Sequence, residues 1–372
     1  MVRYSKALTA NIIAASHNPN ISRSNKRPFW MVAKGDQILT KTIDNQYELF
    51  QVHNSGEGSV AFTSISTSSL APNFSIVDLC TEANSLLCIR DSSDLVLKSI
   101  ETSQDIFTLK GRGIISSVSS HGDYIAIGKM NGSISVVNWK TSIRNKIRNL
   151  TTEKISAIRF IGSDILLVIL QDWNYAVLKF TETSLEIIPH SNGILQVPPL
   201  SAELDKIGLK LDVEKEIEQK IESSAYPTPP SHPQHLEVWP STAPNSYIVI
   251  SWCEERIQYS KLSLDDPSNV IIESRNISLT EHVVCKSAHP TALLLSQKSH
   301  LNSDSFLQSY PVDSCSQING DSETTALLND ILHAPDESSL GLATLLSASV
   351  EADSMIMLFS NGDVSFVSLA YP

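Results

Sequence analysis

An 18-residue segment recurs along this chain, each time as two runs of alternating apolar residues about a short polar turn. Its clearest copy, DYIAIGKMNGSISVVNWK, runs from Asp123 to Lys140 with Asn131-Gly132 at its centre. Asp353 to Ala370 lies over it without a gap and puts Asn361-Gly362 on the same turn. Asp164 to Thr181, Asn84 to Glu101, Asp36 to His53 and Ser246 to Ser263 fit the same length, and a looser copy with a longer loop begins at Thr291. The strands are rich in Ile, Val, Leu, Tyr and Phe, as a pleated and mostly buried surface favours. The turn residues (Asn-Gly, Asp-Asn, Ser-Ser-Asp, Asp-Trp-Asn, Glu-Glu) supply or tolerate the positive φ that a two-residue hairpin requires. One unit, copied along the whole chain, is a stronger constraint than any single hairpin.

Further strand-like runs flank the hairpins. Upstream stand FSIVDLC at Phe74, GIISSVSS at Gly113, KISAIRFIG at Lys154, HVVCKS at His282 and LATLLSAS at Leu342. Downstream stand DIFTLKG at Asp105, IRNKIRN at Ile143, LEIIP at Leu185 and VIIESRNIS at Val270. Four strands per unit, at a period of about 40 to 48 residues for most neighbours, is the spacing of propeller blades.

The repeats resemble those of divergent WD-repeat β-propeller proteins, over nearly all of the chain. The departures are clear. His121-Gly122 is not the Gly-His step of that family, and Val137-Asn138-Trp139-Lys140 keeps the tryptophan without the aspartate that usually follows it. No copy holds the family's full His–Asp–Ser/Thr network. The resemblance implies an all-β fold: a seven-bladed β-propeller of four-stranded blades, one domain over residues 1–372, with short helical insertions. The last blade, from about Leu340 to Pro372, shows three strands before the chain ends. The strand-like segment from Ala7 to Ser16 is expected to supply its outer strand and hide an open edge.

Two stretches break the period. Asp164 and Ser246, the starts of two neighbouring copies, are 82 residues apart, twice the usual step. Within that gap, at about 191–234, Val213, Ile217 and Ile221 fall on one face of a helix whose other positions are mostly charged. A proline-rich run from Pro227 to Pro233 ends it. A second insertion at about 319–339 puts Leu327, Leu328, Ile331 and Leu332 on an apolar helical face. The first stripe either packs on the adjacent blade or docks a partner, and the second either caps the propeller or docks a partner, since long insertions in compact folds are often functional. An eighth blade within the first gap is a third reading.

Composition narrows the function. A net charge of −12 argues against a general polyanion-binding surface but leaves room for a local basic strip. Arg144, Lys146 and Arg148 alternate along one such strip, read either as charged edge protection or as a contact for nucleic acid or an acidic partner. The chain opens without a signal-peptide pattern, and no window reaches the roughly 18 apolar residues of a membrane span. Five scattered cysteines, several within apolar runs, point to free thiols and to a reducing compartment, nucleus or cytoplasm.

No Gly-x-Ser-x-Gly elbow, Walker loop, His-Glu-x-x-His or EF-hand pattern appears in the sequence. GRGIIS at Gly111 lacks a third glycine, and alternation would send His282 and Cys285 to opposite faces of a strand. The expectation is therefore a non-enzyme with no cofactor, no metal and no small-molecule substrate. The resemblance implies a protein-interaction scaffold, a subunit of a larger nuclear complex such as a nuclear pore scaffold, with other protein subunits as partners. The alternative is a substrate or nucleic-acid adaptor of the ribosome-assembly or ubiquitin-ligase type, using rim loops and the basic strip. Trp139-Lys140-Thr141 lacks the aspartate of the adaptor motif, which weighs against the ligase role.

Overall fold

The structure, a computed structural model, describes residues 12–13, 28–34, 36–42, 44–54, 60–196, 232–241, 243–253, 256–265, 270–278, 283–289, 292–297, 305–309, 325–327, 345–351, 354–359 and 364–368. Among these, only strands, turns and bends are assigned. After a short strand β1 (Ile12–Ile13), the first sheet is β2 (Pro28–Lys34), β3 (Gln37–Thr42), β4 (Gln46–Asn54) and β5 (Val60–Ser69). The second is β6 (Phe74–Cys80), β7 (Ser85–Arg90), β8 (Asp94–Ser99) and β9 (Asp105–Leu109). The third is β10 (Ile115–His121), β11 (Tyr124–Lys129), β12 (Ile134–Asn138) and β13 (Arg144–Ile147). The fourth is β14 (Ile155–Ile161), β15 (Ile165–Leu170), β16 (Tyr175–Phe180) and β17 (Leu185–Ile188).

The fifth sheet has five strands: β18 (His190–Gln196), β19 (His235–Pro240), β20 (Ser246–Trp252), β21 (Arg256–Ser263) and β22 (Val270–Ser278). The sixth is β23 (Val283–His289), β24 (Ala292–Gln297), β25 (Ser305–Ser309) and β26 (Thr325–Leu327). The seventh joins β27 (Leu345–Glu351), β28 (Ser354–Phe359) and β29 (Val364–Ser368) to β1. In that sheet Ile12 stands opposite Val367 and Ile13 opposite Phe366.

In every sheet the recurring segment forms a hairpin of adjacent strands. The first strand of each sheet touches the first strand of the next from β2 through β6, β10 and β14 to β19. The cycle continues from β20 to β23 and β27, and β27 returns to β2. The described residues thus form an all-β array of mostly four-stranded antiparallel sheets, consistent with a β-propeller.

The core lies between sheets. Leu86, Cys88 and Val96 pack with Leu39, Tyr47 and Leu49 of the first sheet. Their alternating neighbours Leu87, Leu95 and Leu97 pack with Ile125, Ile127 and Val137 of the third. Both faces of these strands are therefore covered, which is why they read as nearly continuous apolar runs. Each such side chain, fully buried, contributes about 1.5–3 kcal/mol. The first strands share a further device: a register shift near the start of β2, β6, β10, β14, β23 and β27. A bulge increases local twist, and its recurrence gives successive sheets the same entry geometry.

Three expectations change. The pattern predicts a two-residue turn at Asn131-Gly132, but the loop closes through the Gly132 N–H on the Lys129 carbonyl at 3.1 Å, and only Gly132 of the pair has positive φ (70°). This is a three-residue loop, a type I turn followed by a left-handed residue. Asn45 (φ 62°) and Trp173 (φ 72°) hold the equivalent place in their copies, each donating to the carbonyl three residues back. Second, His190–Gln196, where the sequence pattern places no strand beyond LEIIP, forms β18, parallel to β22 at the outer edge of the fifth sheet. Third, Leu327 ends the outer strand β26, opposite Phe306, where the apolar spacing predicts a helix. Pairing with the edge of β25 satisfies backbone groups that a helix start there would leave bare.

Candidate interaction surfaces

Where the first strands converge, they carry a belt of polar side chains. Lys34 on β2 donates from Nζ to Asp78 Oδ2 and to the Leu79 carbonyl, both at 2.7 Å, and to Ser120 Oγ at 3.2 Å. Asp78 also accepts the Leu79 N–H on its other oxygen, so β2, β6 and β10 are tied at one point. Further round, Arg159 on β14 meets Glu237 on β19 at 2.9 Å. Glu237, with a smaller contribution from Asp78, raises the Arg159 pKa against the effect of desolvation. Opposite charges here satisfy one another, so the belt reads as a tie between sheets rather than as a receptor for a ligand.

The seam between the second and third sheets is different. Arg144 and Lys146 on β13 lie across from Val137 and Ser135, on the face turned to the second sheet. Lys129, at the end of β11, shares that face with Ile125 and Ile127, is only 5% exposed, and donates from Nζ to the Arg112 carbonyl. Arg144 Nη2 donates to Ser135 Oγ at 3.2 Å, while its buried Nε has no partner among the described residues. Among those residues, no carboxylate pairs with Lys129, Arg144, Lys146 or Arg148. Desolvation, then Arg144 and Lys146, push the Lys129 pKa down; desolvation, then Arg144 and Arg148, do the same to Lys146.

Beside this cluster stand two exposed apolar side chains, Ile114 (56%) and Met130 (46%), joined by the Met130 N–H to the Ile114 carbonyl. Other exposed large apolar side chains sit on or beside outer strands: Ile65 on β5, Ile106 on β9, Ile143 just before β13 and Ile187 on β17. Single exposed apolar residues are ordinary. Here one such isoleucine stands on or beside the outer strand of each of four consecutive sheets.

Of the residues singled out from sequence, Arg144, Lys146 and Arg148 come together in the seam, with Arg148 just beyond the end of β13. Leu327 lies in β26. Val213, Ile217, Ile221, Leu328, Ile331 and Leu332 lie outside the described residues. Sequence reasoning missed Lys129. Its signal was present: a lysine at the parity of the buried Ile125 and Ile127, where alternation calls for an apolar residue.

No protein-family model matches the chain, and no curated protein sequence matches it. Among solved structures it is similar to the computationally designed Ika8 protein, at 9% identity and a TM-score of 0.45, covering 96% of this chain and 100% of that one. It is similar to a chain of a Saccharomyces cerevisiae complex in which a Dbp5 variant is bound to Nup159, a Gle1 variant, IP6 and ADP, at 11% identity and a TM-score of 0.45, covering 98% and 95%. It is also similar to the N-terminal domain of Nup159, at 10% identity and a TM-score of 0.40, covering 98% and 90%.

Proposed function

We propose that this chain is a non-catalytic protein-interaction scaffold: a seven-bladed β-propeller, its last blade completed by β1, held as a subunit of a larger nuclear assembly of the nuclear-pore-scaffold type. The observation that carries the reading is an exposed isoleucine on or beside the outer strand of each of the first four sheets: Ile65, Ile106 and Ile187 on their strands and Ile143 just before β13. Exposed apolar side chains along a rim lose water when a neighbouring subunit covers them, at about 25 cal/mol per Å². The nuclear setting rests on the resemblance of the sequence to divergent, insertion-bearing propellers of that class.

The test is purification of the tagged chain from native cells beside a variant carrying Ile65→Ser, Ile106→Ser, Ile143→Ser and Ile187→Ser. The reading expects stoichiometric partner proteins with the first and their loss from the second, both chains being folded. Equal recovery of partners by both would remove the observation that supports it.

A further inference from the structure

We propose that the seam between the second and third sheets, formed by Lys129, Arg144, Lys146 and Arg148 and flanked by Ile114 and Met130, binds an acidic protein segment that bears an apolar side chain. The proposal rests on the scaffold reading and names one surface and the chemistry of its partner. Three observations lead to it. The first is an unbalanced charge: four cations gather where no described carboxylate pairs with them, in a chain whose net charge is −12. Cations that repel one another and lose water are stabilised by an anion that enters among them.

The second is the unsatisfied donor. Arg144 holds Ser135 with one end of its guanidinium, yet its buried Nε is unmatched among the described residues. A guanidinium fork suits a planar carboxylate, which can accept two parallel N–H bonds. The third is the apolar pair at the edge. Ile114 and Met130 are linked through their backbones and follow directly on the Arg112 and Lys129 region, so one ligand can span both features. Phosphate backbones gain little from isoleucine and methionine, and nucleic-acid affinity comes mainly from a long track of cations. A glutamate- or aspartate-rich segment with one leucine-like residue uses everything the seam presents.

The experiment uses the full chain and a fluorescein-labelled peptide of alternating glutamate and leucine, with oligothymidylate and a lysine–leucine peptide as comparators. Fluorescence anisotropy is read at low and at moderate salt. The acidic peptide should bind, the basic one should not, and Lys146→Glu with Arg148→Glu, both at exposed positions, should weaken binding about tenfold in chain whose circular dichroism matches wild type. Ile114→Ser with Met130→Ser should weaken it several-fold while leaving the salt dependence unchanged. Three results would overturn the proposal: no binding of the acidic peptide by folded chain, equal binding by the charge-reversed variant, or tighter binding of oligothymidylate that ignores Ile114→Ser and Met130→Ser. If the charge-reversed variant keeps both the peptide and its native partners, the seam is wrong and the scaffold reading stands. A wild-type chain without native partners would instead remove the scaffold reading and this proposal with it.

Discussion

Arg256 lies with its guanidinium over the indole of Trp173, 4.4 Å from the ring centroid. Trp173 occupies the left-handed turn position that Asn45 and Gly132 fill in sister copies. A bulky residue at positive φ costs about 1–3 kcal/mol, which here is offset by burial against the fifth sheet and by the cation above the ring. An unusual ranking of variants follows. Trp173→Gly loses the packing but relieves the backbone, whereas Trp173→Ala loses the packing and keeps the strain. Urea denaturation should show both below wild type by about 3 kcal/mol or more, with the glycine variant above the alanine variant by about 1 kcal/mol.

Gly132 is constrained twice. Its φ is 70°, and a Cβ there would run into the Thr151 carbonyl, on the lead-in to the fourth sheet. Gly122 has positive φ as well (55°) but open space around it. Gly122→Ala should therefore cost about 1 kcal/mol and Gly132→Ala distinctly more, about 2–4 kcal/mol. Thermal melts of the two single variants give the comparison; equal losses would show that the approach to Thr151 does not matter.

Tyr175 joins the fourth and fifth sheets through a buried hydroxyl network. Its OH lies 3.0 Å from Ser251 Oγ and accepts from Ser260 Oγ at 3.1 Å, and Ser260 lies 2.8 Å from Ser274 Oγ. Removing only the phenol oxygen leaves the ring in place and strips Ser251 of this partner. Tyr175→Phe should lose about 1–3 kcal/mol in equilibrium unfolding. Combining it with Ser251→Ala should recover part of that loss, because an unmatched buried hydroxyl is then gone.

Burial pushes the Cys88 thiol up to about 12, with nearby Lys98 and Lys41 opposing. The folded state holds this proton more tightly than the unfolded chain, whose thiol ionises near 9. The contribution is thus complete below pH 9 and is lost as pH rises from about 9 toward 12, at up to about 1.4 kcal/mol per pH unit. Cys88→Ala should flatten that part of the stability-versus-pH curve even though it lowers the plateau. Native alkylation should likewise spare Cys80, Cys88 and Cys253, all buried, until denaturant is added.

Much of the fold was legible because it repeats. The hairpins share one pattern of alternation, and that pattern places their strands within a residue or two across all seven sheets. β18 was not legible, since its parallel pairing with β22, far along the chain, leaves no local periodic mark. β5 and β19 escape the pattern for a related reason. Ser and Thr dominate the outer strand β5, and Pro240 and the prolines upstream of His235 mask β19. At the seam, the β13 cations could be read from alternation alone. The parity of Lys129 with Ile125 and Ile127 marks it as buried, but its place beside the β13 cations comes from the packing of β11 against the Arg112 loop, which the sequence does not show.

The central claim is that the chain works as a subunit covered by other proteins. It is tested most directly by the mass of the native particle that contains it, measured after gentle purification of the full chain from its own cells. The account predicts a stable assembly with other protein chains in fixed stoichiometry. A lone monomer of the chain, persisting at physiological salt, would contradict it.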